Sequence, residues 1–166
     1  MKKIKSFTLI ELVMYVALSS TIVFSITVLA VMCLQIREKN KAILEVENQG
    51  AYILDKLTHE IRNARNVNTP LVTATSQNLI LDEDEALNDP TEFSVTDNIL
   101  KIKQGSAATQ DLNSPNISIA DLSFSNLSTG SDKPSEIKIT FKATYSVSEI
   151  KYEKEFYGSA SQRNIP

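Results

Sequence analysis

One cysteine, one histidine, four glycines and no tryptophan are found among 166 residues. The single Cys33 excludes an internal disulfide and a thiolate metal cluster. It lies inside an apolar run and reads as a small apolar residue facing lipid or other helices. The chain shows no glycine-rich phosphate loop, no zinc-ligand spacing and no nucleophile elbow. His59 has no second histidine and no serine or cysteine arrangement around it, so a surface or packing role is expected rather than catalysis. No catalytic residue, metal or cofactor is expected. Charge is also missing locally: residues 12–34, 23 in a row, carry none. At about 1.5 Å per residue, a helix of that length reaches roughly 35 Å, enough to cross a bilayer core.

The charges that are present are unevenly placed. Residues 1–66 hold nine Lys/Arg against six Asp/Glu, and residues 67–166 hold eight against fourteen, which together give the chain's −3. An acidic folded part argues against nucleic acid as a direct partner. Lys2, Lys3 and Lys5 precede the apolar run, as in a secretory signal. The run is longer than a signal core, however, and Gln35-Ile36-Arg37 follows it without a small-residue cleavage site, so the segment is expected to stay attached. Arg37, Lys39 and Lys41 lie close on its other side, and the positive-inside rule comes near a tie.

Helical periodicity continues past the apolar run. Ile36, Ile43, Val46, Gly50, Ile53, Leu57, Ile61 and Ala64 recur at steps of three, four or seven, which keeps them on one stripe. Lys39, Lys41, Glu45, Glu47, Lys56 and Arg62 fall off it. Gly50 is the weak point, costing about 1 kcal/mol relative to Ala. No proline interrupts the chain before Pro70. A helix over residues 7–65 would be roughly 88 Å long, more than a small domain can enclose. Its first half must be buried in lipid or in other subunits, and Ile36 and Ile43 should be left exposed in an isolated monomer.

After Asn66-Val67-Asn68-Thr69-Pro70 the period changes to two. Residues 78–81 and 92–95 read as short strands, and 98–103 pairs with the latter across a turn near Asp97-Asn98. Residues 117–119 and 122–124 are further candidates. The clearest strand is 136–147, where Ile137, Ile139, Phe141, Ala143, Tyr145 and Val147 share one face. Ile150, Tyr152 and Phe156 continue the alternation after Ser148, as in a closing hairpin. Residues 128–135 read as a loop. Asp82-Glu83-Asp84-Glu85, with Asp89 nearby, offers hard oxygen ligands for Ca²⁺ but lacks the spacing and glycine of an EF-hand. A solvated acidic loop is the simpler expectation.

The most informative string is Lys5-Ser6-Phe7-Thr8-Leu9-Ile10-Glu11-Leu12. Glu11 interrupts an otherwise apolar or weakly polar run over residues 7–36. A carboxylate near the membrane interior costs roughly 2.5–3.5 kcal/mol, so it needs a partner or a proton unless it sits at the headgroup boundary. The string resembles the type IV prepilin signal, a short basic leader followed by F-T-L-I-E-L. The resemblance implies cleavage by a prepilin peptidase between Ser6 and Phe7 and N-methylation of Phe7. It also implies that Glu11 meets the amino terminus of a neighbouring subunit during assembly. The family's cut follows Gly, where this chain has the still small Ser6. The resemblance extends over Gln49-Gly50-Ala51, Leu54, Leu57, Glu60-Ile61-Arg62-Asn63-Ala64, Leu122-Ser123-Phe124 and Gln162-Arg163-Asn164, which are similar to the minor pilins of J-type or W-type.

The expected fold is α+β, a long N-terminal transmembrane or spine helix packed on a small antiparallel sheet. The expected segments are a leader (1–6), a transmembrane helical half (7–35), an amphipathic helical half (36–66) and an extracytoplasmic β-rich domain (67–166). The implied function is that of a non-enzymatic minor pilin or pseudopilin serving a pilus, type II-like secretion or DNA uptake. Its implied partners are prepilin peptidase, other pilins or pseudopilins, an inner-membrane assembly platform and membrane lipid. Its implied location is the inner membrane, then a periplasmic or surface filament. Two other readings stay open, a permanent single-pass protein with an extracytoplasmic binding domain and a major filament-forming pilin.

Overall fold

A computed structural model describes residues 8–130, 134–147 and 150–163. The chain divides between Asn40 and Lys41 into two compact units. One helix, α1 (Leu9–Asn63), contributes to both.

In the first unit every described side chain is exposed. This stretch contains a helical segment long and apolar enough to cross a membrane. The serine and threonine hydroxyls from Ser19 to Thr27 turn back on the helix. Ser19 Oγ donates to the Tyr15 carbonyl at 2.6 Å, Thr21 to Ala17 at 2.9 Å, Ser25 to Thr21 at 2.9 Å and Thr27 to Val23 at 2.9 Å. Ser20 donates to Ala17 at 2.9 Å. A hydroxyl satisfied by its own backbone can enter hydrocarbon without an unpaired donor.

The second unit begins with the helix laying Ala42, Val46, Gly50, Ile53, Leu57, Glu60 and Ile61 inward. Nine strands follow among the described residues: β1 (Asn66–Thr69), β2 (Thr75–Ser76), β3 (Leu79–Asp82), β4 (Thr91–Thr96), β5 (Ile99–Gln104), β6 (Gln110–Asp111), β7 (Ile117–Asn126), β8 (Glu136–Val147) and β9 (Ile150–Ser161). They form two antiparallel sheets rather than the single sheet expected. Their orders are β1-β3-β4-β5-β6 and β2-β7-β8-β9. Helix and sheets share one hydrophobic core.

The anticipated hairpin is present. Asp97 and Asn98 both take positive φ, 52° and 62°, between Thr96 and its partner Ile99. Two left-handed residues at a two-residue connection match the twist of antiparallel strands. The two candidate pieces at 117–119 and 122–124 are one strand. An irregularity between Ala120 and Ser123, with Asp121 at φ 54°, inserts an extra residue, so Ile117 and Ile119 before it and Leu122 and Phe124 after it all face the core. In β8 Ile137, Ile139, Phe141, Ala143 and Tyr145 are buried as the alternation requires, while Val147 at the strand end is exposed. Residues 148–149 between β8 and β9, and 131–133 of the expected 128–135 loop, lie outside the described residues.

Helix and β9 run against each other closely. A Cβ on Gly50 would fall 2.1 Å from Cζ of Phe156. Phe156 stacks on Phe141 with centroids 5.3 Å apart. Glycine at position 50 is therefore a packing requirement, not merely a soft point in the helix. The Lys154 ammonium lies 2.6 and 2.7 Å from the Glu47 carboxylate oxygens and 5.2 Å from the Phe156 ring centre. The far end of α1 is tied by the chain's last described residues. Gln162 Nε2 donates to the Ala64 carbonyl at 3.2 Å and the Arg163 N–H to the Arg62 carbonyl at 3.1 Å. These bonds satisfy carbonyls that a helix end otherwise leaves open.

Candidate functional site

Ser6 and Phe7, the cleavage and methylation positions that the resemblance implies, lie outside the described residues. Thr8 opens the helix. The Leu12 N–H donates to the Thr8 carbonyl at 3.2 Å, and the Glu11 N–H reaches the Thr8 hydroxyl at 3.4 Å. Thr8 is thus the N-cap, and Thr8-Leu9-Ile10-Glu11 has the T-x-x-E spacing of a capping box. That spacing was readable in the sequence and places Glu11 in the first turn of the helix. A carboxylate in the first turn is also favoured by the free N–H groups and positive end of the helix dipole.

Glu11 is exposed, and so are Leu9, Ile10 and Leu12 around it. No salt bridge joins it to a described lysine or arginine. Chemically the site is one carboxylate at the start of an uncovered apolar helix. If that surface is taken out of water by lipid or by other helices, a cationic amine placed beside Glu11 gains strongly from the low dielectric.

The apolar stripe differs in detail from its sequence expectation. Ile36 is 58% exposed, but Ile43 is half-buried, and its neighbour Ala42 is fully covered. The covered face begins at Ala42 because the stripe that meets the sheets runs Ala42, Val46, Gly50, Ile53, Leu57 at helical spacing. Leu44 and Tyr52, 60% and 52% exposed, are the large apolar side chains left open on this part of the helix.

The acidic loop also departs from expectation. Asp84, Glu85 and Asp89 are exposed, but Glu83 is half-buried, and its Oε1 has no hydrogen-bond partner. Burial first, then the charge of Glu60, then those of Asp84, Asp89 and Glu85, push its carboxyl from 4.5 up to about 7. Glu60 is itself buried near the end of α1 and holds Lys56 at 2.5 Å. The loop is not simply solvated, because it folds back beside the helix. Asp82 takes a hydrogen bond from Asn68, and Asn88 Nδ2 donates to Glu85 at 3.0 Å. Among the described residues no three His, Cys, Asp or Glu side chains are grouped so as to hold a metal ion, which gives the Ca²⁺ reading of Asp82-Glu85 no geometric footing. His59 is exposed and shares a 2.9 Å hydrogen bond with Asn63.

The residues quoted for J-type and W-type likeness occupy structural positions. Leu122 and Phe124 are core residues of β7. Gln162 both caps α1 and accepts the Ser135 N–H at 3.0 Å. Asn164 lies outside the described residues. The chain matches no family model, no curated protein and no solved structure.

Proposed function

We propose that the chain is a minor pilin or pseudopilin of a type IV filament system, drawn from the inner membrane into a filament after its leader is removed. The single observation behind this reading is the string Lys5-Ser6-Phe7-Thr8-Leu9-Ile10-Glu11-Leu12 running directly into one helix. That helix is bare over its apolar residues and covered from Ala42 onward by β-structure. A bare apolar helix needs lipid or neighbouring helices around it. A protein that must exchange the first environment for the second needs both, and Glu11 supplies a register mark. Correct docking pairs it with the new Phe7 amine of a neighbour, and wrong docking leaves a charge unpaired in a dry bundle.

On this reading prepilin peptidase cuts between Ser6 and Phe7 and the amine at Phe7 is methylated. The platform and sibling pilins are the partners, and the chain performs no chemistry itself.

Two substitutions at one position test it. Glu11→Gln keeps the capping-box spacing, since Gln serves at that position as well as Glu, but loses the charge. Glu11→Ala loses both. Both variants should insert and be cut, and removing the charge should if anything ease insertion. Both should enter sheared filaments at least about tenfold less than wild type, as expected for loss of a low-dielectric ion pair. If Glu11→Gln assembles as wild type while Glu11→Ala does not, Glu11 is a helix cap. A permanent single-pass membrane role then becomes the better reading.

A further inference from the structure

We propose that the open edge of β9 is a docking site for an extended strand of another protein, one with basic side chains at alternate positions. This site is independent of the filament reading and is built from groups within the second unit alone.

β9 ends the order β2-β7-β8-β9, and among the described residues no strand pairs with its other side. Its register with β8 runs from Val147↔Ile150 to Glu136↔Ser161 without a shift. The Gln162 N–H donates to the Ser135 carbonyl at 3.0 Å, one step further along the same register. That bond fixes the phase of the ladder, because in an antiparallel pair the residues that bond across alternate with residues that do not. Ile150, Tyr152, Lys154, Phe156, Gly158 and Ala160 therefore bond to β8. Lys151, Glu153, Glu155, Tyr157, Ser159 and Ser161 turn their N–H and C=O groups to the open side.

Such an edge is usually blunted by proline, a bulge or charge. β9 has no proline and no bulge, and its charges, Lys151, Glu153, Lys154 and Glu155, all lie in its first half. Residues 156–161 carry none. The strand is also held firm from behind. Lys154 meets Glu47 at 2.6 Å, the Phe156 ring lies against Gly50, and a Cβ on Gly158 would fall 2.8 Å from Leu54 Cδ1. An edge already fixed in extended form leaves only the incoming strand to be ordered.

The same contacts and the charges select the occupant. Glu47, Gly50 and Leu54 meet Lys154, Phe156 and Gly158 in step, so α1 runs along β9 on its core face. A second copy paired edge to edge would set its own β9 about 4.8 Å away with its own helix on the same face, whereas packed helices stand about 8–10 Å apart. A lone strand brings no helix. On the outer face Glu153 and Glu155 stand two residues apart. Glu153 lies 3.4 Å from Lys151 in a largely exposed pair, and Glu155 is in no ion pair among the described residues. Opposite charges across a ladder stabilise and like charges destabilise, so the fitting strand is basic at those two positions. Tyr157, 70% exposed, offers an aromatic surface to the position after them.

The probe is a fluorescent peptide of about ten residues with lysine and valine alternating, titrated onto the full chain in a neutral detergent. It should bind saturably with Kd below about 1 mM and slow exchange of the amides of residues 153, 155 and 157 at least about fivefold. Glu153→Lys combined with Glu155→Lys should weaken it at least about tenfold and should favour the peptide with glutamate in place of lysine. Backbone pairing is read on the wild-type chain, so it stands even where the variant fails to fold. Of two peptides N-methylated on alternate amides, the one blocked on the side facing β9 should lose binding and the other should keep it. No saturable binding up to about 1 mM, equal binding by the two methylated peptides, or unchanged binding in a folded charge-reversed variant overturns the proposal. So does a homodimer of the full chain that the peptide dissociates, which would make a second copy the occupant.

Discussion

At position 50 two residue-scale arguments point in opposite directions. Helix propensity alone says Ala should stabilise by about 1 kcal/mol. The structure puts the Phe156 ring 2.1 Å from where the methyl would go, and that ring is held by its stack on Phe141. Overpacking of this kind costs typically about 1–3 kcal/mol, so the steric term wins. Gly50→Ala should therefore lower the melting temperature followed by circular dichroism, and an unchanged or raised value would show that Phe156 moves aside freely. Positions 43 and 44 make a similar contrast. The half-buried Ile43 should not tolerate Asp without loss of stability, whereas Leu44→Asp, on an open face, should stay within about 0.5 kcal/mol of wild type. If that face meets sibling subunits, Leu44→Asp should nonetheless reduce their co-purification after mild detergent extraction. Undiminished recovery would remove this face from the interface.

At the scale of elements, the stripe Val46, Gly50, Ile53, Leu57 and Ile61 was legible in sequence because a helix face repeats at a fixed spacing whatever covers it. Residues 91–96, 99–104 and 136–147 were legible for the same reason at period two. β1, β2 and β6 were not. Asn66, Asn68, Thr75, Ser76, Gln110 and Asp111 carry no alternating apolar signal, and these short strands exist because longer neighbours offer them backbone partners. The extra residue at Asp121 hid the unity of β7 by shifting the alternation halfway. The helix end was equally hidden, since its cap comes from Gln162, about a hundred residues away in sequence. Gln162→Ala leaves the Ala64 carbonyl and the Ser135 N–H without this partner, a loss of about 1–2 kcal/mol. Urea unfolding should register it, with faster amide exchange over the last helical turn. Equal stability would mean that water replaces both bonds.

The whole chain divides into a segment with every described side chain exposed and a segment with its own core. A fragment of residues 41–166 keeps Ala42 through Ala160 of that core and discards the uncovered apolar run. It should be soluble, unfold cooperatively and show mixed helix and strand circular dichroism, with no change on adding EDTA or Ca²⁺. A disordered fragment, or one that folds only with Ca²⁺, would overturn the autonomy of the core. In the intact protein, mass spectrometry in a host with active prepilin peptidase should find a chain beginning at Phe7 and carrying a methyl group. A chain beginning at Met1 would remove the leader from the proposal.

What the sequence determined by itself are the features set by covalent order and local periodicity. These are an uncharged stretch long enough to span a membrane, a basic segment and an F-T-L-I-E-L string before it, an amphipathic helix after it and alternating strands beyond. Only the tertiary structure decided the pairing of the strands into two sheets, the need for glycine at position 50 and the raised proton affinity of Glu83. Each depends on groups far apart in sequence: Gly50 on Phe156, Glu83 on Glu60, β1 on β3. Periodicity reports which face of an element is apolar. It does not report what arrives to cover that face, and a side chain's steric limits and proton affinity are set by what arrives.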